Sequence, residues 1–511
     1  MKKILKFLFS RMAIVGILIL LQLAILFYAI WDLSESFIYL YALFIAISIM
    51  VVVYIVSRND NPSYKLAWTI PVLLVPVFGG LFYLIFGGNK TSKKFRKKIQ
   101  AAYEDFEPLM KQDQSILEEI KNQDKLVFNQ VKYIKDYAGY PIYKNTTTKY
   151  LSPGEEFFKV LMEEIKKAKH YIFMEYFIIE KGDMWDSILN VLESKVKEGV
   201  EVRVIYDDMG CLQTLPYKYN EVLEKKGIKC EVFNPFVPLL SLKMNNRDHR
   251  KITIIDGHIA FTGGINLADE YINKIVKYGH WKDASIMIEG EAVWNLTVMF
   301  LQAWNFEKNT KENYERFKPT IHKEKEFICD GYVQPYGDSP LDGETVGENI
   351  YLNIINKAID YVYINTPYLI IDNELVTALV LAAKSGVDVR IVTPHIEDKW
   401  YAHIVTRAYY SHLIESGVKI YEYIPGFIHS KTFVSDDKIA TVGSINMDYR
   451  SLYLHFECGV FLYNTKSVEE IKSDFLKNLE KCKRFTLEDC KNVKWSNRIL
   501  RAILRVFAPL M

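Results

Sequence analysis

Residues 248–256 read DHRKITIID, and residues 429–436 read HSKTFVSD. His249, Lys251 and Asp256 are thus matched by His429, Lys431 and Asp436, 180 positions later. Gly263-Gly264-x-Asn266 and Gly443-Ser444-x-Asn446 follow at the same offset from their histidines. Chance does not produce five matched positions at one spacing, so the chain must build one unit twice. The flanking patterns agree. The helical stretch "EEFFKVLMEEIKKAKH" precedes the strand-like "YIFMEYFII", and "ENIYLNIINKAID" precedes "YVYINTPYLII". "GVEVRVI" and "GVDVRIV" then mark the next strand in each copy. Alternating helices and strands define an α/β fold. The expected division is a first domain over 151–322 and a second over 323–494, two tandem pseudo-symmetric α/β/α sandwiches behind a charged connector at 99–150.

The repeated residues point to phosphoryl chemistry. A histidine and lysine two apart in a strand share one face. Lysine supplies fixed charge to an anionic phosphoryl group, and histidine titrates near neutral pH. Asn266 and Asn446 are expected to add neutral donors to the same oxygens. Asp256 and Asp436 lie seven residues from their histidines, at turns, and read mainly as local structural groups. Asp256-Gly257 is a strong hairpin signal and Asp436-Asp437 a weaker one. With two histidines on one phosphate, one can attack phosphorus while the other protonates the leaving oxygen. The motif offers no ligand cluster for a metal, and the chemistry needs none.

The first 98 residues form a membrane anchor by composition. Met12–Ile30 and Phe37–Val56 each match the length of a bilayer-crossing helix. A third apolar stretch, Leu66–Phe86, is interrupted by Pro71, Pro76, Gly79 and Gly80. Lys2, Lys3, Lys6 and Arg11 precede the first span, and Lys90, Lys93, Lys94, Arg96, Lys97 and Lys98 follow the third stretch. Positive flanks at both places put both on the cytoplasmic side. Two crossings satisfy that and three do not, so the third stretch is expected to be re-entrant or interfacial, with "PVFGG" as its bend. Net charge of +2 argues against a dedicated nucleic-acid binder. Six cysteines without CxxC spacing fit a reducing compartment.

H-x-K-x4-D followed by G-G/S-x-N, present twice, resembles the phospholipase D superfamily. "NNRDHRKITIIDGHIAFTGGINLADEY" and "HSKTFVSDDKIATVGSINMDYRSL" are similar to bacterial cardiolipin synthases within it, as is the apolar "AWTIPVLLVPVFGGLFYLIFG". The resemblance implies transphosphatidylation in a bacterial cell membrane, with the catalytic part cytoplasmic and no cofactor or metal. Two phosphatidylglycerol molecules would give cardiolipin and glycerol through a phosphatidyl-histidine intermediate. It assigns the intermediate to His249 and the acid and base roles to His429, or the reverse. It further implies a carboxylate oriented toward each histidine's second nitrogen, with Asp283 and Glu457 as candidates. Glu175 and Asn365, matched positions in the first strand of each copy, are expected to line the cleft. The family usually carries Asn two residues before the second carboxylate; this chain has His455.

A hydrolase of the same superfamily uses the same histidine pair with water as acceptor. A nuclease would want a basic groove and no anchor. A non-enzymatic scaffold would show a broken motif in one copy, and both copies are intact. The C-terminal residues 495–511 are expected to form an amphipathic membrane-interface helix. Ile499, Ala502, Ile503, Val506 and Phe507 share much of one face, while Arg498, Arg501 and Arg505 group on another. Packing of this helix on the catalytic core is the alternative.

Overall fold

β-Branched and aromatic residues in short runs, separated by amphipathic helices, set the element order of both copies. The computed structural model describes residues 20–21, 23–25, 27–32, 38–87, 106–235, 246–308, 313–320, 328–491, 493 and 495–510. The first expected span, Met12–Ile30, and the expected domain boundary at 322/323 lie largely outside these residues.

The first copy contributes β1 (Thr146–Leu151), β2 (Tyr171–Tyr176), β3 (Glu201–Asp207), β4 (Lys229–Phe233), β5 (Lys251–Ile255), β6 (Ile259–Gly263), β7 (His280–Lys282) and β8 (Ser285–Gly290). The second contributes β9 (Tyr332–Asp338), β10 (Tyr361–Asn365), β11 (Leu369–Ile370), β12 (Asp388–Pro394), β13 (Lys419–Tyr423), β14 (Gly426–Ile428), β15 (Thr432–Ser435), β16 (Ile439–Gly443), β17 (Met447–Asp448), β18 (Glu457–Tyr463) and β19 (Cys482–Arg484). One sheet has the order β1-β8-β6-β5-β2-β3-β4; the other runs β9-β18-β16-β15-β10-β12-β13, with β19 added at its edge. Position by position the two orders are the same. In each, three parallel strands join an antiparallel meander, and the motif strand pairs with the copy's first helix-preceded strand (β2 with β5, β10 with β15). Buried side chains on both faces form two large cores, with Trp185, Phe173 and Tyr351 among the fully enclosed residues.

The connector is not separate from this architecture. Its last residues form β1, which pairs with β8 from Thr146↔Gly290 to Leu151↔Ser285, so the first sheet begins five residues earlier than expected. Two helices within it, Gln114–Gln123 and Lys125–Ala138, are capped by Asp113 and Asp124. Gln334 of β9 donates to the Val131 carbonyl at 3.2 Å, which ties them to the second copy.

The apolar N-terminal region folds as α1 (Ile38–Ser57), α2 (Pro62–Leu74) and α3 (Pro76–Phe86). Of the described helices, α1 is long and apolar enough to cross a membrane. The third apolar stretch is broken at Val75-Pro76 into two short helices. Its turn lies beside the middle of α1, where Ser48 bonds the Pro76 carbonyl and accepts from Gly80 N at 3.0 Å. A Cβ on Gly80 would stand 2.4 Å from Ser48 Oγ, so only glycine allows this approach. The far end of α3 returns to the start of α2, where Tyr64 donates to the Gly87 carbonyl at 3.2 Å. Asn61, between α1 and α2, donates to Asp372 at 3.1 Å and to Tyr453 at 3.0 Å. Both ends of the α2–α3 hairpin therefore stand on the side of the second copy.

The Asp256 and Asp436 turns repeat in detail. Asp256 and Gly257 have φ of 48° and 73°, and Asp436 and Asp437 have 53° and 56°. Asp-Asp thus makes the same left-handed pair that Asp-Gly makes. The Asp256 carboxylate accepts from the backbone N–H of Lys169, His170 and Tyr171, each at 2.8 Å. Asp436 accepts from Ile359, Asp360 and Tyr361 at 2.8, 2.9 and 2.9 Å. Each aspartate pins the start of its copy's first parallel strand. Asp256→Ala is expected to cost about 2–3 kcal/mol, through three stranded donors and an alanine forced to positive φ. Asp436→Ala is expected to cost less, because Asp436 is half-buried whereas Asp256 is buried. Thermal unfolding of the two variants checks that order; full stability with lost turnover would move either aspartate into the chemistry.

Candidate active site

The motif histidines do not sit within strands. β5 begins at Lys251 and β15 at Thr432, so each histidine stands just ahead of its strand. Its backbone is instead taken up by the other copy. His249 N donates to the Phe456 carbonyl at 2.9 Å, beside a parallel bridge between Asp248 and Phe456. His429 N donates to the Lys282 carbonyl at 2.7 Å, and β14 pairs in parallel with β7. The next residue after Phe456 is Glu457, and the next after Lys282 is Asp283. Each histidine consequently meets the carboxylate of the opposite copy. His249 Nδ1 lies 2.9 Å from Glu457 Oε1, and His429 Nδ1 lies 2.7 Å from Asp283 Oδ2.

An Nδ1–H donated to an ionised carboxylate leaves Nε2 as the basic nitrogen. Both histidines line one cavity of about 890 Å³ between the copies. Burial, then Lys251 and Lys431, hold His249 well below its usual range. Burial and Lys431 push His429 down to about 4, although Asp283 opposes them. Burial alone would raise Asp283, but His429 and Lys431 beside it keep its carboxyl below the ordinary range. Glu457 is pushed up to about 7 by burial, against Lys251 and the Ser444 hydroxyl that donates to it. Lys251 and Lys431 are buried as well, each donating to the carbonyl of its own histidine. Burial lowers Lys251 to about 8 and Lys431 to about 7. Two lysines in a closed site raise the local potential and lower each other's proton affinity. An anionic phosphoryl group removes that conflict.

The two copies differ around this frame. A Cβ on Gly264 would meet Asp283 Oδ1 at 2.2 Å, so the first copy has glycine there. In the second, Ser444 at the matched position reaches Glu457 instead. His429 is walled by Trp281, Tyr271 and Phe427, with ring centroids at 5.4, 5.7 and 5.9 Å. His249 faces Phe177 at 4.9 Å and His455 at 5.6 Å.

Asn266 and Asn446 both line the cavity. Asn266 already donates to Tyr271 at 2.8 Å and accepts from Ile178 N at 3.0 Å, which fixes its amide. Asn446 keeps a buried Oδ1 without a hydrogen-bond partner. Glu175 and Asn365 do not take the cleft-lining place expected of them. Glu175 is fully buried, 2.6 Å from Arg250, and Asn365 donates to Thr432 Oγ1 at 3.0 Å. They are matched in position because both lie in the strand paired beside the motif strand, where a buried polar group needs an internal partner. Asp256 and Asp436 hold the turns described above, away from the cavity.

His455, Trp281 and Lys399 also line the cavity, and motif spacing did not single them out as site residues. Both ring nitrogens of His455 are buried without a hydrogen-bond partner. Tertiary contact brings ligand atoms of His249, His455 and Glu457 within 4.8 Å of one another, a cluster the sequence spacing did not reveal. The two adjacent lysines make the surroundings favour an anion over a dication.

A family model described as "Cardiolipin synthase, PLD-like domain" matches residues 161–293 and 351–479, and one described as "Phospholipase_D-nuclease N-terminal" matches residues 46–88. The chain is 44% identical over 461 residues to an uncharacterized protein of Streptococcus mutans, covering 90% of this chain and 99% of that one. It is 35% identical over 462 residues to a cardiolipin synthase of Halalkalibacterium halodurans, covering 89% and 90%. The fold is similar to that of a phosphatidylserine synthase of Haemophilus influenzae, with a TM-score of 0.56 at 14% identity, over 75% of this chain and 97% of that one.

The lysine positions give a pH signature. Both lose their charge as pH rises through about 7 to 8 in the empty site. The second-order rate constant, which reports the free protein, is therefore expected to fall over that range. Lys431→Arg remains charged throughout and is expected to carry the basic limb upward. A limb that stays in place in Lys431→Arg removes Lys431 from the charge balance.

Proposed function

The chain belongs to the phospholipase D-like cardiolipin synthase family, and from that membership we propose how its site joins two phosphatidylglycerol molecules. It is a phosphatidyltransferase of the cardiolipin synthase type. The observation that carries the mechanism is the crossed pair, two histidines on one cavity with each Nδ1 against the other copy's carboxylate.

In the first step His249 Nε2 attacks phosphorus, and the bond from phosphorus to the glycerol oxygen breaks. His429 gives its Nε2 proton to that oxygen, and glycerol leaves. The substrate phosphate, seated between the rings, raises the proton affinity of His429 from its low value in the empty site, and Asp283 stabilises the imidazolium. In the second step the glycerol hydroxyl of another phosphatidylglycerol gives its proton to His429 and attacks phosphorus. The N–P bond breaks, cardiolipin leaves, and both histidines return to their starting states. Lys251 and Lys431 supply charge as the phosphoryl oxygens gain electron density. Assigning His429 as the acid rests on its shorter bond to an ionised carboxylate and its aromatic walls, which shield the proton from water.

The reading extends to the membrane. Crossing by the expected span Met12–Ile30 and by α1, with the α2–α3 hairpin entering and returning on the catalytic side, accommodates the basic flanks at residues 2–11 and 90–98 if the catalytic copies are cytoplasmic. The docking of Asn61 on Asp372 and Tyr453 supports that arrangement.

Supplying pure phosphatidylglycerol to the detergent-solubilised protein is expected to give cardiolipin and equimolar glycerol by mass spectrometry; phosphatidic acid alone would replace synthesis with hydrolysis. His249→Ala and His429→Ala are each expected to abolish turnover. Wild-type protein denatured at neutral pH during turnover is expected to carry labelled phosphatidyl on His249, and label on His429 instead reverses the roles. In intact cells, a cysteine replacing Asp60 is expected to escape a membrane-impermeant thiol reagent, while one within residues 33–36 reacts. Labelling at position 60 places the catalytic copies outside.

A further inference from the structure

The C-terminal residues divide their surface three ways. Here α4 denotes the helix Trp400–Glu415, and α5 the helix Trp495–Phe507. One flank of α5 packs on α4, with Leu504 against the core and the following Ala508 buried in the wall of the catalytic cavity. A second face bears Trp495, Ile499 and Ile503, which are 76%, 51% and 51% exposed. The third carries the arginines. Packing on the core and an outward apolar face therefore coexist, where the sequence posed them as alternatives.

Between α4 and α5 lies a cleft of about 350 Å³ in which Arg407, Arg498, Arg501, Arg505 and Lys491 face a single carboxylate, Glu415. Arg407 is committed elsewhere, donating twice to Glu422 at 2.8 and 2.7 Å. Arg498 donates to the Lys491 carbonyl at 2.6 Å, and Arg505 lies over the Tyr409 ring at 4.7 Å. Among the described residues no carboxylate forms an ion pair with Arg498, Arg501 or Arg505. Arg501 is partly buried with Arg407 and Arg498 as neighbours, and burial and their charges lower its proton affinity. Gathering like charges in a recess is unfavourable until an anion enters. Guanidinium groups pair bidentately with phosphate oxygens, which selects the kind of anion.

The source of the phosphate follows from the neighbouring surface. Trp495, Ile499 and Ile503 lie on the same helix as the arginines, and α5 packs against α2, whose Leu66, Leu73 and Leu74 are 59%, 59% and 75% exposed. An apolar strip continuous with a membrane anchor marks a bilayer surface. We propose that the arginine cleft between α4 and α5 is a docking site for the headgroup phosphate of an anionic phospholipid, separate from the catalytic cavity, with the acyl chains lying along the apolar strip. The proposal rests on the membrane reading above but not on the reaction mechanism. Because Ala508 continues from α5 into the cavity wall, a lipid held here sets the cavity mouth at headgroup level.

The test is hydrogen exchange of residues 495–507 in the full-length protein, held in neutral detergent micelles and titrated with phosphatidylglycerol. Saturable protection is expected, and it should persist in His429→Ala, which separates this site from catalysis. The triple variant Arg498→Gln, Arg501→Gln, Arg505→Gln is expected to raise the apparent dissociation constant at least tenfold. Arg501→Gln alone, if the triple variant fails to fold, is expected to raise it several-fold. Equal protection by phosphatidylcholine overturns recognition of the anion. Equal protection by 10 mM inorganic phosphate overturns the lipid source. No protection from phosphatidylglycerol, in protein that still makes cardiolipin, removes the docking site and leaves the function standing.

Discussion

The active site depends on a crossed exchange between the two copies. The backbone ahead of His249 bonds to the segment ending at Glu457, and the backbone ahead of His429 bonds to the segment ending at Asp283. Those main-chain bonds place each carboxylate against the opposite Nδ1 before any substrate is present. Neither copy can orient its own histidine. The duplication is therefore one catalytic unit, and the cavity exists only where the copies meet. A buried imidazole held by a carboxylate has its basic nitrogen fixed in direction, which removes much of the reorganisation that an unconstrained histidine would need.

Pseudo-symmetry sets the frame, and small departures from it give the two histidines unlike surroundings. Asp283 presses on Gly264, stays ionised and holds His429 inside an aromatic wall. Glu457 is longer, accepts from Ser444 as well as facing His249, and has a carboxyl raised to about 7 by burial. The lysines beneath are shared. Each affects both histidines, so the charge that favours a phosphoryl anion belongs to the pair of copies and not to either motif alone.

The N-terminal helices and the C-terminal helix are joined to this site by short paths. Asn61 at the head of α2 bonds Asp372 and Tyr453, and Ala508 at the end of the C-terminal helix enters the cavity wall. The broken helix pair α2–α3 turns at the middle of α1, where glycine at position 80 permits contact with Ser48.

Much of this was legible in the residues themselves. The 180-residue offset determined that there are two like domains, and the Asp-Gly and Asp-Asp pairs determined the hairpins after each motif. Proline and glycine in residues 66–86 determined that this apolar stretch breaks, because proline removes a backbone donor and glycine permits close approach. Periodicity and spacing report local structure, and these features are local. Partners across the interface are not. That Glu457 serves His249 and Asp283 serves His429 depends on which β-bridge forms between copies, and no spacing encodes it. Glu175 and Asn365 looked like a matched pair for the cleft because position in a strand is legible while the partner beneath it is not. Folding alone decided that they face Arg250 and Thr432, since a buried polar group goes where another can satisfy it.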